Sequence, residues 1–184
     1  MSSTRIASTP TLVPASTTPA RLDGDLDPSR FAYLTPDPAG HPPSLGRLVQ
    51  HARTLAVRAA DWAELIRFDP VRRWRHRLDL DPAELPAPYQ AWLLSWLPGQ
   101  GTGAHDHGSA PAVFVVLCGR LDETAVSALR GRARHQSIGP GQLRYWAPRH
   151  VRELTNHESA AAVSLHVYRL DGANNPAGEM SGGW

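Results

Sequence analysis

The chain contains no lysine: all 19 of its basic residues are arginine. That absence excludes a Schiff-base lysine, a phosphate-loop lysine and a lysine general base. A single cysteine, Cys118, excludes an internal disulfide and any cysteine-rich zinc or iron–sulfur site. No stretch approaches the ~20 consecutive apolar residues that a membrane helix needs. The N-terminus also lacks a basic-then-apolar leader, so the expectation is a cytoplasmic protein with no membrane partner. The formal charge is only +2, too small for nucleic acid to be the default partner. What remains is a chain of 184 residues, 41% hydrophobic and 20% charged, in the range of a soluble single-domain protein. Its polar chemistry must run on histidine, arginine, carboxylate and hydroxyl groups.

Composition divides the chain. Residues 1–44 hold 8 of the 17 prolines and 12 serines or threonines, with Phe31 and Tyr33 as their only aromatics. Such a segment buries too little apolar surface to offset its ordering entropy, and it reads as a disordered arm. A folded domain is expected over 45–172 and a flexible tail over 173–184. From Leu45, apolar residues Leu48, Val49, Ala52, Leu55 and Ala56 recur at helical spacing, with Ser44 as N-cap. Asp61 starts a second short helix carrying Trp62, Leu65 and Ile66, which ends before Pro70.

Beyond Tyr89 the period changes to two. Strands are expected at Tyr89–Leu97, Ala112–Cys118, Leu121–Val126, Gln142–Trp146, His150–Thr155 and Ala161–Leu170, separated by turns such as Gly139-Pro-Gly141. Short strands at this spacing without intervening helices predict an all-β barrel or double-sheet sandwich, preceded by one or two helices.

Two segments carry candidate chemistry. In Gly99-Gln-Gly-Thr-Gly-Ala-His105-Asp-His107-Gly108, an extended backbone turns His105 and His107 to the same face, where both imidazoles can reach one metal ion. Imidazole suits iron, zinc, copper or nickel. The alternative is two surface histidines on a loop. In Val163-Ser-Leu-His-Val-Tyr168, the polar residues Ser164, His166 and Tyr168 share one face and the apolar ones the other. That face is either a serine–histidine–tyrosine relay inside a barrel or a polar outer surface; periodicity alone leaves both open.

Together these segments resemble the cysteine dioxygenase type I family of the cupin superfamily, over roughly residues 46–170. The stretch Trp96 to Gly108 looks like the metal-binding segment of its bacterial members, and Ser164-Leu-His-Val-Tyr168 like its Ser-x-His-x-Tyr strand. The resemblance implies an all-β cupin barrel (double-stranded β-helix) holding one Fe(II) on three histidines, here His105, His107 and His150. It implies an enzyme that adds both atoms of O2 to the sulfur of L-cysteine, a small thiol amino acid, giving cysteine sulfinic acid; the chain is expected to act as a monomer. Tyr168 would then contact substrate or oxygen, oriented by Ser164 and His166. The family's carboxylate clamp falls in Arg72-Arg-Trp-Arg75-His-Arg77, with Arg77 fitting best by position and Arg75 the alternate; Arg72 and Arg73 read as solvated.

Three departures stand out. The family sets its third histidine four residues before an asparagine, and counting back from Asn156 lands on Arg152; His150, two residues earlier, shares its face. Ala112 occupies the place of the cross-linking cysteine of animal members. Arg169-Leu-Asp-Gly172 replaces Ser-Pro-Pro after the tyrosine. Another small thiol such as 3-mercaptopropionate, or a degenerate binding cupin without catalysis, are the alternative readings. Cys118 is read as core, Trp62, Trp92, Trp96 and Trp146 as core or pocket wall, and Asp122 and Glu123 as solvent-facing charges.

Overall fold

The computed structural model describes residues 44–105, 111–126, 133–146 and 151–170. Helix α1 spans Ser44–Ala56, and the residues that gave it its helical spacing, Leu45, Leu48, Ala52, Leu55 and Ala56, are all buried. A 3-10 helix follows at Ala59–Leu65, earlier than Asp61 suggested, with Arg58 at its N-cap position. Asp61 lies within it and accepts a 2.9 Å bond from Arg58 Nε.

Among the described residues, eight strands follow: β1 (Arg75–Arg77), β2 (Tyr89–Trp96), β3 (Ala112–Cys118), β4 (Leu121–Val126), β5 (Ala133–Ile138), β6 (Leu143–Trp146), β7 (Arg152–Thr155) and β8 (Ala162–Arg169). They form two antiparallel sheets, ordered β1-β2-β8-β3-β6 and β5-β4-β7. The two strands absent from the sequence reading, β1 and β5, are the polar edges of these sheets. An edge strand facing water on most sides carries little apolar alternation, so periodicity does not mark it.

The first sheet is covered on both faces. Leu93, Val113, Val115, Leu117, Leu165 and Val167 pack against Leu48, Ala52 and Leu55 of α1. The intervening residues Leu94, Trp96, Phe114, Val116 and Tyr168 meet Leu121, Ile138 and Leu154 of the second sheet. The space between the sheets is the lumen. Helix α1 therefore decides which side of β8 faces inward: its apolar set lies under the helix, leaving Ser164, His166 and Tyr168 in the lumen.

Segment 99–105 adds to the second sheet along β7. Gly101 pairs with Thr155 and His105 with Arg152, so four steps on one side match three on the other. That difference is a one-residue bulge. Inside it, Thr102 Oγ1 accepts the Leu154 N–H at 3.0 Å, and Gly103 adopts φ 66, a left-handed conformation that glycine takes without strain. Gly101 has no room for a side chain, since a Cβ there would lie 2.8 Å from Thr155 Oγ1 and 3.0 Å from the Leu154 carbonyl oxygen.

Candidate metal and substrate site

Register places the polar groups of β8 in a row across the sheet. His166 lies opposite Trp92 on β2 and Phe114 on β3, and Tyr168 opposite Gln90 and Ala112. Trp96 Nε1 donates to Ser164 Oγ at 2.9 Å, Ser164 Oγ lies 2.9 Å from His166 Nε2, and His166 Nδ1 lies 3.4 Å from the Tyr168 hydroxyl. Because an indole N–H only donates, Ser164 accepts from Trp96 and turns its own proton to His166 Nε2. This assigns the imidazole proton to Nδ1, facing the phenol oxygen, and leaves the phenolic proton to be donated away from the strand.

These groups are dry. Ser164, His166 and Tyr168 are all buried. The His166 ring lies 5.3 Å from Phe114 and 5.4 Å from Trp146, centroid to centroid. Burial, and then the charges of Arg73, Arg152 and His105, hold His166 well below the usual imidazole value, so the ring is neutral. Burial pushes the Tyr168 phenol up to about 12, against the pull of Arg152, Arg73 and Arg75.

His105 is half-buried, and its Nδ1 lies 3.0 Å from the Gly103 carbonyl oxygen. A carbonyl only accepts, so Nδ1 carries the proton and the lone pair sits on Nε2, the arrangement of a histidine oriented for a metal. His107 and His150 lie outside the described residues. Among the described residues, no three His, Cys, Asp or Glu side chains gather to hold a metal.

The arginines are sorted by burial rather than by order. Arg77 is exposed and pairs with Trp92 at the end of β1, Arg75 is half-buried opposite Leu94, and Arg72 is exposed beside Asp69. Arg73, read from sequence as solvated, is instead half-buried. Its guanidinium stands 4.6 Å from the Trp96 ring centroid, and Nη1 donates to the Gly101 carbonyl at 3.2 Å. Burial lowers its pKa to about 10. The missed signal was alternation: Arg73 lies two residues before Arg75 and so faces the same side.

Arg152 is the other inward cation, only 1% exposed. It sits opposite His105, with backbone bonds of 2.9 Å in both directions, and its Cζ lies 3.3 Å from the Trp146 ring centroid. Glu123, read as solvent-facing, is also buried. It alternates inward with Leu121 on β4, and its Oε1 accepts the Trp146 Nε1–H at 2.8 Å. Asp122 does face outward, 3.1 Å from His157 Nδ1. Asn156 is fully buried and structural: Nδ2 donates to the carbonyls of Trp96 (3.0 Å) and Ala160 (2.8 Å). Cys118, as read from sequence, is core, and burial pushes its thiol pKa up.

A two-sheet antiparallel barrel with a polar lumen and an N-terminal helix on its outer face is the architecture of a cupin. Residues 47–171 match the family model for cysteine dioxygenase type I. The chain belongs to that family, one of cupin-type dioxygenases. No curated protein matches it. Similar solved structures include TT1209 from Thermus thermophilus, at 18% identity over 58% of this chain and 90% of that one, TM-score 0.48. A cupin 2 conserved barrel domain protein from Salinispora arenicola is 19% identical over 59% of this chain and 82% of its own, TM-score 0.46. A recombinant oxalate oxidase in complex with glycolate is 17% identical over 55% and 52%, TM-score 0.46.

Proposed function

We propose that this chain is a non-haem Fe(II) thiol dioxygenase that converts a small thiol and O2 into a sulfinic acid, L-cysteine into cysteine sulfinic acid. The observation that carries the reading is the buried chain Trp96–Ser164–His166–Tyr168 in a family member. The metal ligands proposed are His105, His107 and His150. His105 fits, because its lone pair is directed to Nε2 by the Gly103 carbonyl. His107 and His150, which lie outside the described residues, would complete the set as the family resemblance implies. Bound there, a ferrous ion supplies the redox chemistry and open positions for a thiolate and O2.

The chain's own residues do the rest. Tyr168 keeps its proton throughout the physiological range and donates it into the lumen, towards substrate or oxygen. Neutral His166, pinned by Ser164, fixes the phenol's orientation without adding charge. Arg75, with Arg77 at the strand end, holds the carboxylate of the substrate, and the aromatic wall keeps water from the sulfur. Both oxygen atoms end on sulfur, so RSH and O2 account for every atom of RSO2H. The chain acts as a cytoplasmic monomer, with a small thiol amino acid and O2 as partners.

A specific observation favours a second reading. The buried Arg152 opposite His105 puts a positive charge on the face where a cation would bind, which suits a cupin that binds a small ligand without catalysis. O2 consumption by anaerobically Fe(II)-reconstituted protein, with sulfinate as the product measured, separates the two. Stoichiometric conversion of L-cysteine supports the dioxygenase; faster turnover of 3-mercaptopropionate moves the substrate. No retained iron and no uptake with either thiol overturns the reading in favour of the binding cupin.

A further inference from the structure

The segment 67–74 is tied down along its length. Ser95 Oγ donates to the Arg67 carbonyl at 2.6 Å, Gln100 Nε2 to the Asp69 carbonyl at 2.8 Å, and the Ser95 N–H to the Trp74 carbonyl at 3.1 Å. Between these points Asp69 Oδ1 accepts the Val71 N–H at 2.8 Å. The backbone on both sides of Arg73 is therefore fixed, and its side chain is aimed rather than free. That side chain touches two elements at once. Its guanidinium lies over the Trp96 ring, 4.6 Å from the centroid, and Nη1 donates to the Gly101 carbonyl at 3.2 Å. A planar fork can stack and donate sideways together, which a compact ammonium cannot.

Trp96 is fully buried, and its Nε1–H is bonded to Ser164 Oγ. The protonation pattern of the next two residues depends on that bond. While the indole donates to Ser164, the serine proton goes to His166 Nε2 and the imidazole proton stays on Nδ1, facing the Tyr168 oxygen. If the indole N–H leaves, the serine oxygen accepts equally well from an Nε2–H. Nδ1 then becomes the acceptor, and Tyr168 gives its proton back along the strand instead of into the lumen. Burial, followed by the charges of Arg73, Arg152 and His105, keeps the imidazole neutral. The choice is thus between two tautomers, not two charges.

We propose that Arg73 is a positioning residue: held flat against Trp96 and tied to Gly101, it keeps the indole N–H on Ser164, and so sets the tautomer of His166 and the direction in which Tyr168 donates. It acts through Trp96 and does not hold the substrate. The effect on turnover rests on the dioxygenase reading; the tautomer does not.

The test reads the ring-nitrogen chemical shifts of His166 by NMR in the full chain at neutral pH, with chelator present to exclude paramagnetic ions and His166→Gln to assign the signals. The Nδ1–H tautomer is expected. Arg73→Gln should shift the ring towards Nε2–H, Trp96→Phe should do the same, and the double variant should go no further than Trp96→Phe alone. Should Arg73→Gln fail to fold by circular dichroism, Arg73→Lys decides, because it keeps the charge without the flat fork and should also shift the ring. An Nε2–H tautomer in the unaltered chain, or an unshifted ring in the Arg73 variant, overturns the proposal. With Fe(II) restored, Arg73→Gln should lower kcat for L-cysteine about tenfold and leave KM within about twofold. A raised KM with kcat unchanged would make Arg73 a substrate-binding group and overturn it too. A shifted tautomer in a chain that consumes no O2 with any thiol upholds this inference and removes the dioxygenase; turnover with an unshifted tautomer does the reverse.

Discussion

Deleting one oxygen atom, in Ser164→Ala, tests the lumen network most directly. Ser164 is fully buried and its hydroxyl serves two neighbours, Trp96 Nε1 and His166 Nε2, each at 2.9 Å. Without it an indole N–H and an imidazole nitrogen are left buried with nothing to bind. Each such orphan costs roughly 1–3 kcal/mol, so the variant should lose roughly 2–6 kcal/mol of stability. The void is about one oxygen atom and adds little. Trp96→Phe removes the same bond from its other end, and the double variant no longer contains the orphaned N–H. The two losses should therefore fall short of additivity by about 1–2 kcal/mol. Urea unfolding followed by circular dichroism measures all four proteins without relying on the altered tryptophan. A Ser164→Ala loss below about 0.5 kcal/mol, or strictly additive effects, would refute the argument that this hydroxyl joins the two rings.

Two further outcomes follow from buried polar groups. Asn156→Ala strands the carbonyls of Trp96 and Ala160 and the Glu158 N–H, which now bond to its side chain at 3.0, 2.8 and 3.0 Å; a loss of roughly 2–4 kcal/mol is expected in the same unfolding assay. His166 has its folded pKa depressed by burial and by Arg73, Arg152 and His105. Its stabilisation is therefore complete above the unfolded pKa of about 6.5 and is lost as pH falls below it, by up to about 1.4 kcal/mol per pH unit. His166→Gln should flatten that acid limb between about pH 6.5 and 5; equal slopes in the two proteins would show that the imidazole is not held neutral.

Much of this barrel was legible along the chain because its central strands are short apolar-rich runs bounded by turn residues. Trp96, Ser164, His166 and Tyr168 were marked by residue type and position. Strands β1 and β5 were not legible, since Arg75-His-Arg77 and Ala133–Ile138 lie at sheet edges and bury little. Glu123 and Arg73 were misread for a related reason: a charged side chain looks solvated unless its neighbours in space are known. Each is kept inside by a tryptophan distant in sequence, Trp146 for Glu123 and Trp96 for Arg73.

By itself the sequence determined which residues of β8 share a face, because a strand's side chains alternate whatever surrounds it. It also determined that a histidine pair precedes that strand and that Arg152 stands four residues before Asn156. Only the tertiary structure decided that the polar face of β8 turns inward, because both faces of that sheet are buried and the choice rests on where α1 packs. It also decided that Arg152 lies opposite His105, through a one-residue bulge that makes their register a property of two strands rather than of either alone.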